Sequence, residues 1–137
     1  MTHALTVFIP GTPAPQGSKR HVGGGVMIES SKAVKPWRQD VRAALLDSSG
    51  QPVARFEGAV SVRADFVMPR PASTPKRSTP PAIKRPDLDK LIRAVLDAVG
   101  SAGVWRDDSQ VVEVQATKRL AALGESAGLH LTVEALA

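Results

Sequence analysis

The 137-residue chain carries a formal charge of +5 and no cysteine. Its 42% apolar content excludes a disordered tail, and the lack of thiols excludes disulfides and thiolate metal sites. A sequence pI near 10.1 points to a polyanionic partner, nucleic acid above all, or to a merely solvated basic surface.

No apolar run approaches the ~18 residues that span a membrane, so no membrane partner is expected. The N-terminus, MTHALTVFIPG, has neither the basic start nor the cleavage pattern of a signal peptide. A reducing cytoplasm is compatible with this composition. No repeat is visible, and one domain over residues 1–137 is expected.

Leu5, Val7 and Ile9 alternate with Thr6, Phe8 and Pro10, which predicts a short buried strand. The loop over residues 11–25 follows, with Ser18, Lys19, Arg20 and His21 at a basic tip. It reads either as an arm that contacts phosphates or as a plain solvated hairpin loop. Residues 26–28 suggest a brief second strand. Over residues 33–46, Val34, Trp37, Val41, Ala44 and Leu45 form one helical stripe, with Lys35, Arg38, Gln39 and Arg42 opposite. Trp37 belongs to that stripe and reads as core. Residues 56–68 alternate most clearly of all and predict a strand, with Asp65 on its polar face.

Residues 69–86 differ in kind. They hold six of the eleven prolines, five basic residues and no acid. Such a segment forms no regular element and exceeds an ordinary connection. Lys76, Arg77, Lys84 and Arg85 on it are candidate DNA contacts, as are Lys19 and Arg20 on the first loop. The alternative is a disordered surface loop, and the two are compatible.

The next stretch reads PDLDKLIRAVLDAVGSAGVWRDD. Leu88, Leu91, Ile92, Val95, Leu96 and Val99 make a complete apolar helix face, with Lys90, Arg93 and Asp97 away from it. Asp87 suits the helix start, and Gly100 and Gly103 are expected to close the helix. Val104 and Trp105 should pack beneath it. Strands are predicted over residues 111–118 and 129–135. The order implies a small α/β (α+β) fold, one mixed sheet with two main helices on one side.

Capping and the helix dipole (~0.3–1 kcal/mol) account for Asp87 and Asp89 without any ligand. They do not account for Asp107 and Asp108, which follow a helix ~18 Å long. Convergence of the two pairs needs a doubled-back connection or a second chain. Once converged, the carboxylates suit Mg²⁺, which takes hard oxygen ligands, usually one or two carboxylates plus substrate phosphate. Lys90 and Arg93 would then offset charge on the reacting phosphate. A metal-dependent nuclease site is the expectation.

At RPDLDKLIRAVLDAVGSAGVWRDDSQ, residues 85–110, the sequence resembles the RusA family of Holliday junction resolvases, enzymes common in phages and prophages. The pattern P-D-[LI]-D, LDA, GV and DD-[SE]-Q carries the likeness, which extends loosely to GTPAPQGSKR and to the strand after Gln110. The resemblance implies a homodimer in a bacterial cytoplasm. It would cut four-way DNA junctions in paired nicks with Mg²⁺, Mn²⁺ substituting, and without a small-molecule cofactor. Asp87, Asp89 and Asp108 match the family's metal-binding aspartates, and Asp107 its neighbouring acid. Arg93 stands where the family places a catalytic lysine, and Lys90 where asparagine is common. Two other readings fit the residues: a non-catalytic branched-DNA-binding module, and a nuclease of broader branched or flap DNA.

Overall fold

The computed structural model describes residues 3–17, 19–21, 27–29 and 32–136. Among them run β1 (Ala4–Pro10), β2 (Lys19–His21), β3 (Met27–Glu29), α1 (Val34–Ala44), β4 (Val60–Met68), α2 (Leu88–Ser101), β5 (Val111–Leu120) and β6 (Gly128–Ala135). One sheet has the order β1-β6-β4-β5, and β2 and β3 pair separately as an antiparallel hairpin. The basic tip expected as loop is thus partly strand. Ser18 and Gly23 to Gly25 lie outside the described residues, as do the side chains of Lys19, Arg20 and His21.

β4 is the axis because its alternation leaves one face wholly apolar. Val60, Val62, Ala64, Phe66 and Met68 are all buried. β6 pairs with it antiparallel and β5 parallel, so the sheet is mixed as expected. A parallel pair needs a long crossover, and here the segment of residues 69–86 followed by α2 supplies it. β5 is left as a sheet edge.

Both helices bury their stripes in the same core as the sheet. α1 contributes Val34, Trp37, Val41 and Leu45, and α2 contributes Leu91, Ala94, Val95, Ala98 and Val99. Full burial stabilises by about 1.5–3 kcal/mol for each large side chain. Trp37 is core, as its position on the stripe implied. Asp65 accepts from Arg63 Nε at 2.9 Å and from Thr117 Oγ1 at 2.6 Å, a structural pairing on the polar face.

Several boundaries shift by one to four residues, and two of the shifts have a visible cause. The strand predicted from Phe56 begins at Val60, because the Phe56 and Gly58 carbonyls accept instead from Gln110 Nε2 at 2.8 and 3.0 Å. Gly100 does not close α2 but lies in its last turn, and Gly103 (φ 86°) makes the turn after the Ala102 cap.

The segment 69–86 has no regular element, as its composition dictates, yet it is tied down. The Arg70 guanidinium donates to Thr79 Oγ1 at 2.9 Å and to the Ala121 and Ser78 carbonyls at 3.1 and 2.7 Å. Lys118 Nζ donates to the Lys84 and Pro86 carbonyls at 3.0 and 2.8 Å. Two cations of this region therefore hold the backbone of the loop, and Lys76, Arg77, Lys84 and Arg85 remain exposed.

Candidate active site

Asp87 occupies the N-cap position of α2 with extended backbone (φ −70°, ψ 140°), but its side chain makes no capping hydrogen bond. The capping explanation therefore does not use up this carboxylate. Asp89 follows in the first helical turn, where the dipole favours its charge. Both side chains are exposed, and both lie at the N-terminal end of the helix.

Asp107 behaves differently. It caps a short 3-10 turn, Asp108–Gln110, by accepting from the Ser109 N–H at 2.9 Å. Gln110 Oε1 returns a bond to the Asp107 N–H at 3.1 Å, completing a capping box. These bonds hold the Asp107 carboxyl below its usual range, the Ser109 backbone N–H being the main cause. The geometry gives Asp107 a structural task within its own turn and sets Asp108 toward α2.

Asp108 Oδ1 accepts from the buried Trp105 indole N–H at 2.8 Å. It lies over the last turn of α2, where a Cβ added to Gly100 would stand 2.9 Å from that oxygen. Asp97, one turn earlier on α2, completes this end. Its carboxyl is pushed up, first by partial burial and then by the charge of Asp108, against the pull of Arg38 and Arg93. Asp97 was visible in the sequence as the residue eight beyond Asp89, on the same helix side as Arg93. Its nearness to Asp108 was not.

Asp97 also meets Arg38 Nη1 at 3.8 Å. The same guanidinium nitrogen donates to Gln16 Oε1 at 2.9 Å, and the Gln16 N–H donates to the Lys90 carbonyl at 3.0 Å. Arg38, on the side of α1 opposite its apolar stripe, thus links the N-terminal loop to α2.

The two ends do not meet. Asp87 and Gly100 are 13 residues apart along the helix, or ~20 Å. Among the described residues no three acidic or histidine side chains gather closely enough to hold a metal ion. Each end offers two carboxylates, Asp87 with Asp89 and Asp97 with Asp108. Two hard oxygen donors plus a substrate phosphate fit the ordinary requirement of Mg²⁺. The carboxylates therefore fall into two groups, candidate half-sites toward each end of α2, with Arg93 exposed between them.

The family model described as endodeoxyribonuclease RusA matches residues 10–134. The chain belongs to the RusA family. The match takes in the basic N-terminal loop, the segment 69–86, both half-sites and most of β6. No curated protein matches the chain. RusA proteins are endodeoxyribonucleases that resolve Holliday junctions and are generally metal-dependent, so nuclease chemistry is the family's function. No helix among the described residues is long and apolar enough to cross a membrane.

Proposed function

We propose that the chain is a Mg²⁺-dependent junction resolvase acting as a homodimer, one RusA-like domain per subunit. The observation that carries this reading is the split arrangement of acids, Asp87 and Asp89 at the start of α2 and the half-buried Asp97 with the exposed Asp108 near its finish. A two-fold axis that sets α2 antiparallel to its copy lays Asp87 and Asp89 of one chain beside Asp97 and Asp108 of the other. Two composite sites result, which is the number that paired nicks require.

The open edge of the sheet supports this arrangement. β5 runs antiparallel to α2 and exposes Val112 and Val114 by 63% and 41%. Leu88, Ile92 and Leu96 on α2 are only partly buried. An edge strand and a helix flank that both leave apolar side chains uncovered suit a second copy.

Asp87, Asp89 and Asp108 would hold a hard divalent ion, with Asp97 beside them, and Mn²⁺ would substitute for Mg²⁺. When bound, the ion would supply activation of water and charge neutralisation at the scissile phosphate. Trp105 fixes the direction of Asp108. Arg93 lies between the half-sites and stabilises negative charge as the phosphate reacts. A guanidinium stays protonated, so it is no general base. Lys90 adds a second cation near Asp87. Lys76, Arg77, Lys84 and Arg85, with Lys19 and Arg20, carry the DNA backbone.

Nicking of a synthetic four-way junction tests the reading. Cutting with Mg²⁺ or Mn²⁺, none with chelator, and little on flap, three-way or linear DNA supports it. Equal cutting of flaps makes the chain a broader branched-DNA nuclease. Salt-dependent binding that never leads to a nick makes it a DNA-binding module.

A further inference from the structure

The N-terminal loop and the segment 69–86 face each other across a cleft of about 1070 Å³. Of its lining, the nuclease reading uses only Asp87, Lys90, Lys84 and Arg85. The walls are largely proline rings and aliphatic side chains, with Pro13, Pro81 and Leu120 among them. Ile83 lines the cleft yet is 88% exposed, so it stands at the mouth. Lys84 and Arg85, the next two residues, are exposed cations that also line it.

An isoleucine held in water beside two cations forgoes the stabilisation that burial would give it. The loop is not slack enough to fold it away. Lys118 holds the carbonyls on either side of Arg85, and Arg70 ties the segment further back. The cleft is thus a largely apolar hollow with a cationic lip, next to Asp87. A simple anion would leave the apolar walls unused, and an apolar ligand would leave the cations unused. A flat apolar body carrying a phosphate uses both, which is the chemistry of a nucleotide with an unpaired base.

We propose that this cleft receives a nucleobase unstacked from the strand whose phosphate lies at Asp87, and that Ile83 takes the vacated place in the stack. The inference rests on the nuclease reading and specifies the state of its substrate. Apolar wedges that part base steps are an established means of opening DNA, and extruded bases are held in snug pockets. Unstacking costs least where pairing is already weakened, and in a four-way junction a base beside the crossover is the candidate.

The test places 2-aminopurine at successive positions around the crossover of a four-way junction. Binding by the uncleaving Asp89→Asn variant is expected to raise fluorescence about threefold or more at one position on the cut strand. Adding Ile83→Ala removes that rise while junction affinity changes less than about threefold. In the otherwise wild-type protein, Ile83→Ala slows nicking about tenfold, and a mismatch at the same position brings the rate back to within about threefold. A merely structural loss would not be rescued by the DNA. Efficient nicking with flat fluorescence at every position, or a wild-type rate in Ile83→Ala, overturns the cleft reading and leaves the nuclease intact. Failure of the wild type to bind or nick any junction overturns the nuclease reading and this one with it.

Discussion

Trp105 donates its indole N–H to Asp108 Oδ1 across 2.8 Å. Trp105 is 2% exposed, so its ring is fixed by the core, and the hydrogen bond passes that rigidity to an exposed carboxylate. Gly100 makes the arrangement possible. A Cβ there would lie 2.9 Å from Asp108 Oδ1 and 3.2 Å from Trp105 Nε1. A conformationally permissive residue in the last helical turn is explained by that contact and not by the turn itself.

Gly100→Ala should separate folding from chemistry. Alanine favours a helix over glycine by about 1 kcal/mol, which offsets local crowding. The thermal midpoint is expected to stay within about 5 °C of wild type. Displacing Asp108 should lower single-turnover nicking at least about tenfold. Calorimetry and nicking rates on the same preparation check both. Full activity would show that the orientation of Asp108 is unimportant.

Mixing two inactive variants should restore activity. Asp87→Asn and Asp108→Asn are each expected to abolish nicking while sparing junction binding. In a mixed dimer with composite sites, one site carries both substitutions and the other carries neither. Unfolding and remixing should therefore yield nicking on one strand, in about half of the dimers at equal amounts. If each site lay within one chain, every mixture would remain inactive.

The order of elements was legible in the sequence because the apolar periods are clean. β4 and α2 each follow their template over nearly all of their length, and the mixed sheet follows from the parallel pair around α2. Arg85 to Gln110 alone was enough to suggest the family. What stayed hidden depends on contacts between distant residues. Nothing local in the sequence places Arg38 between Gln16 and Asp97, or Gln110 on the carbonyls of Phe56 and Gly58. The difference between Asp107 and Asp108 is equally invisible, since both are acids after a tryptophan. Only the turn geometry makes one a cap and sets the other on the Trp105 indole beside α2.

Arg93→Lys and Arg93→Ala should diverge. Arg93 lies between the half-sites, and its charge is felt at Asp97. Lysine keeps a cation there, so measurable nicking should persist. Alanine removes the charge, and the rate should fall by roughly 10²-fold, the usual effect of deleting one group that stabilises a transition state. An inactive Arg93→Lys protein that still binds junctions would show that the planar, two-pronged guanidinium is needed.

Acid stability should depend on Glu125. Its two carboxylate oxygens accept from Arg119 Nη1 and Nη2, both at 2.7 Å, and Oε1 also accepts from the Ala122 N–H at 2.8 Å. With the Arg119 bond as the chief cause, its carboxyl is pulled down to about 2 from an ordinary 4.5. The folded chain thus holds this group ionised where the unfolded chain would protonate it. Its contribution is fully present above pH 4.5 and fades as the pH falls through about 2. Urea midpoints taken in steps from pH 5 to pH 2 should decline for the wild type over that window. The Glu125→Gln variant should start from a lower midpoint at pH 5 and decline less steeply, because it has no charge to lose. Parallel declines in the two proteins would show that the turn between β5 and β6 is held by other contacts.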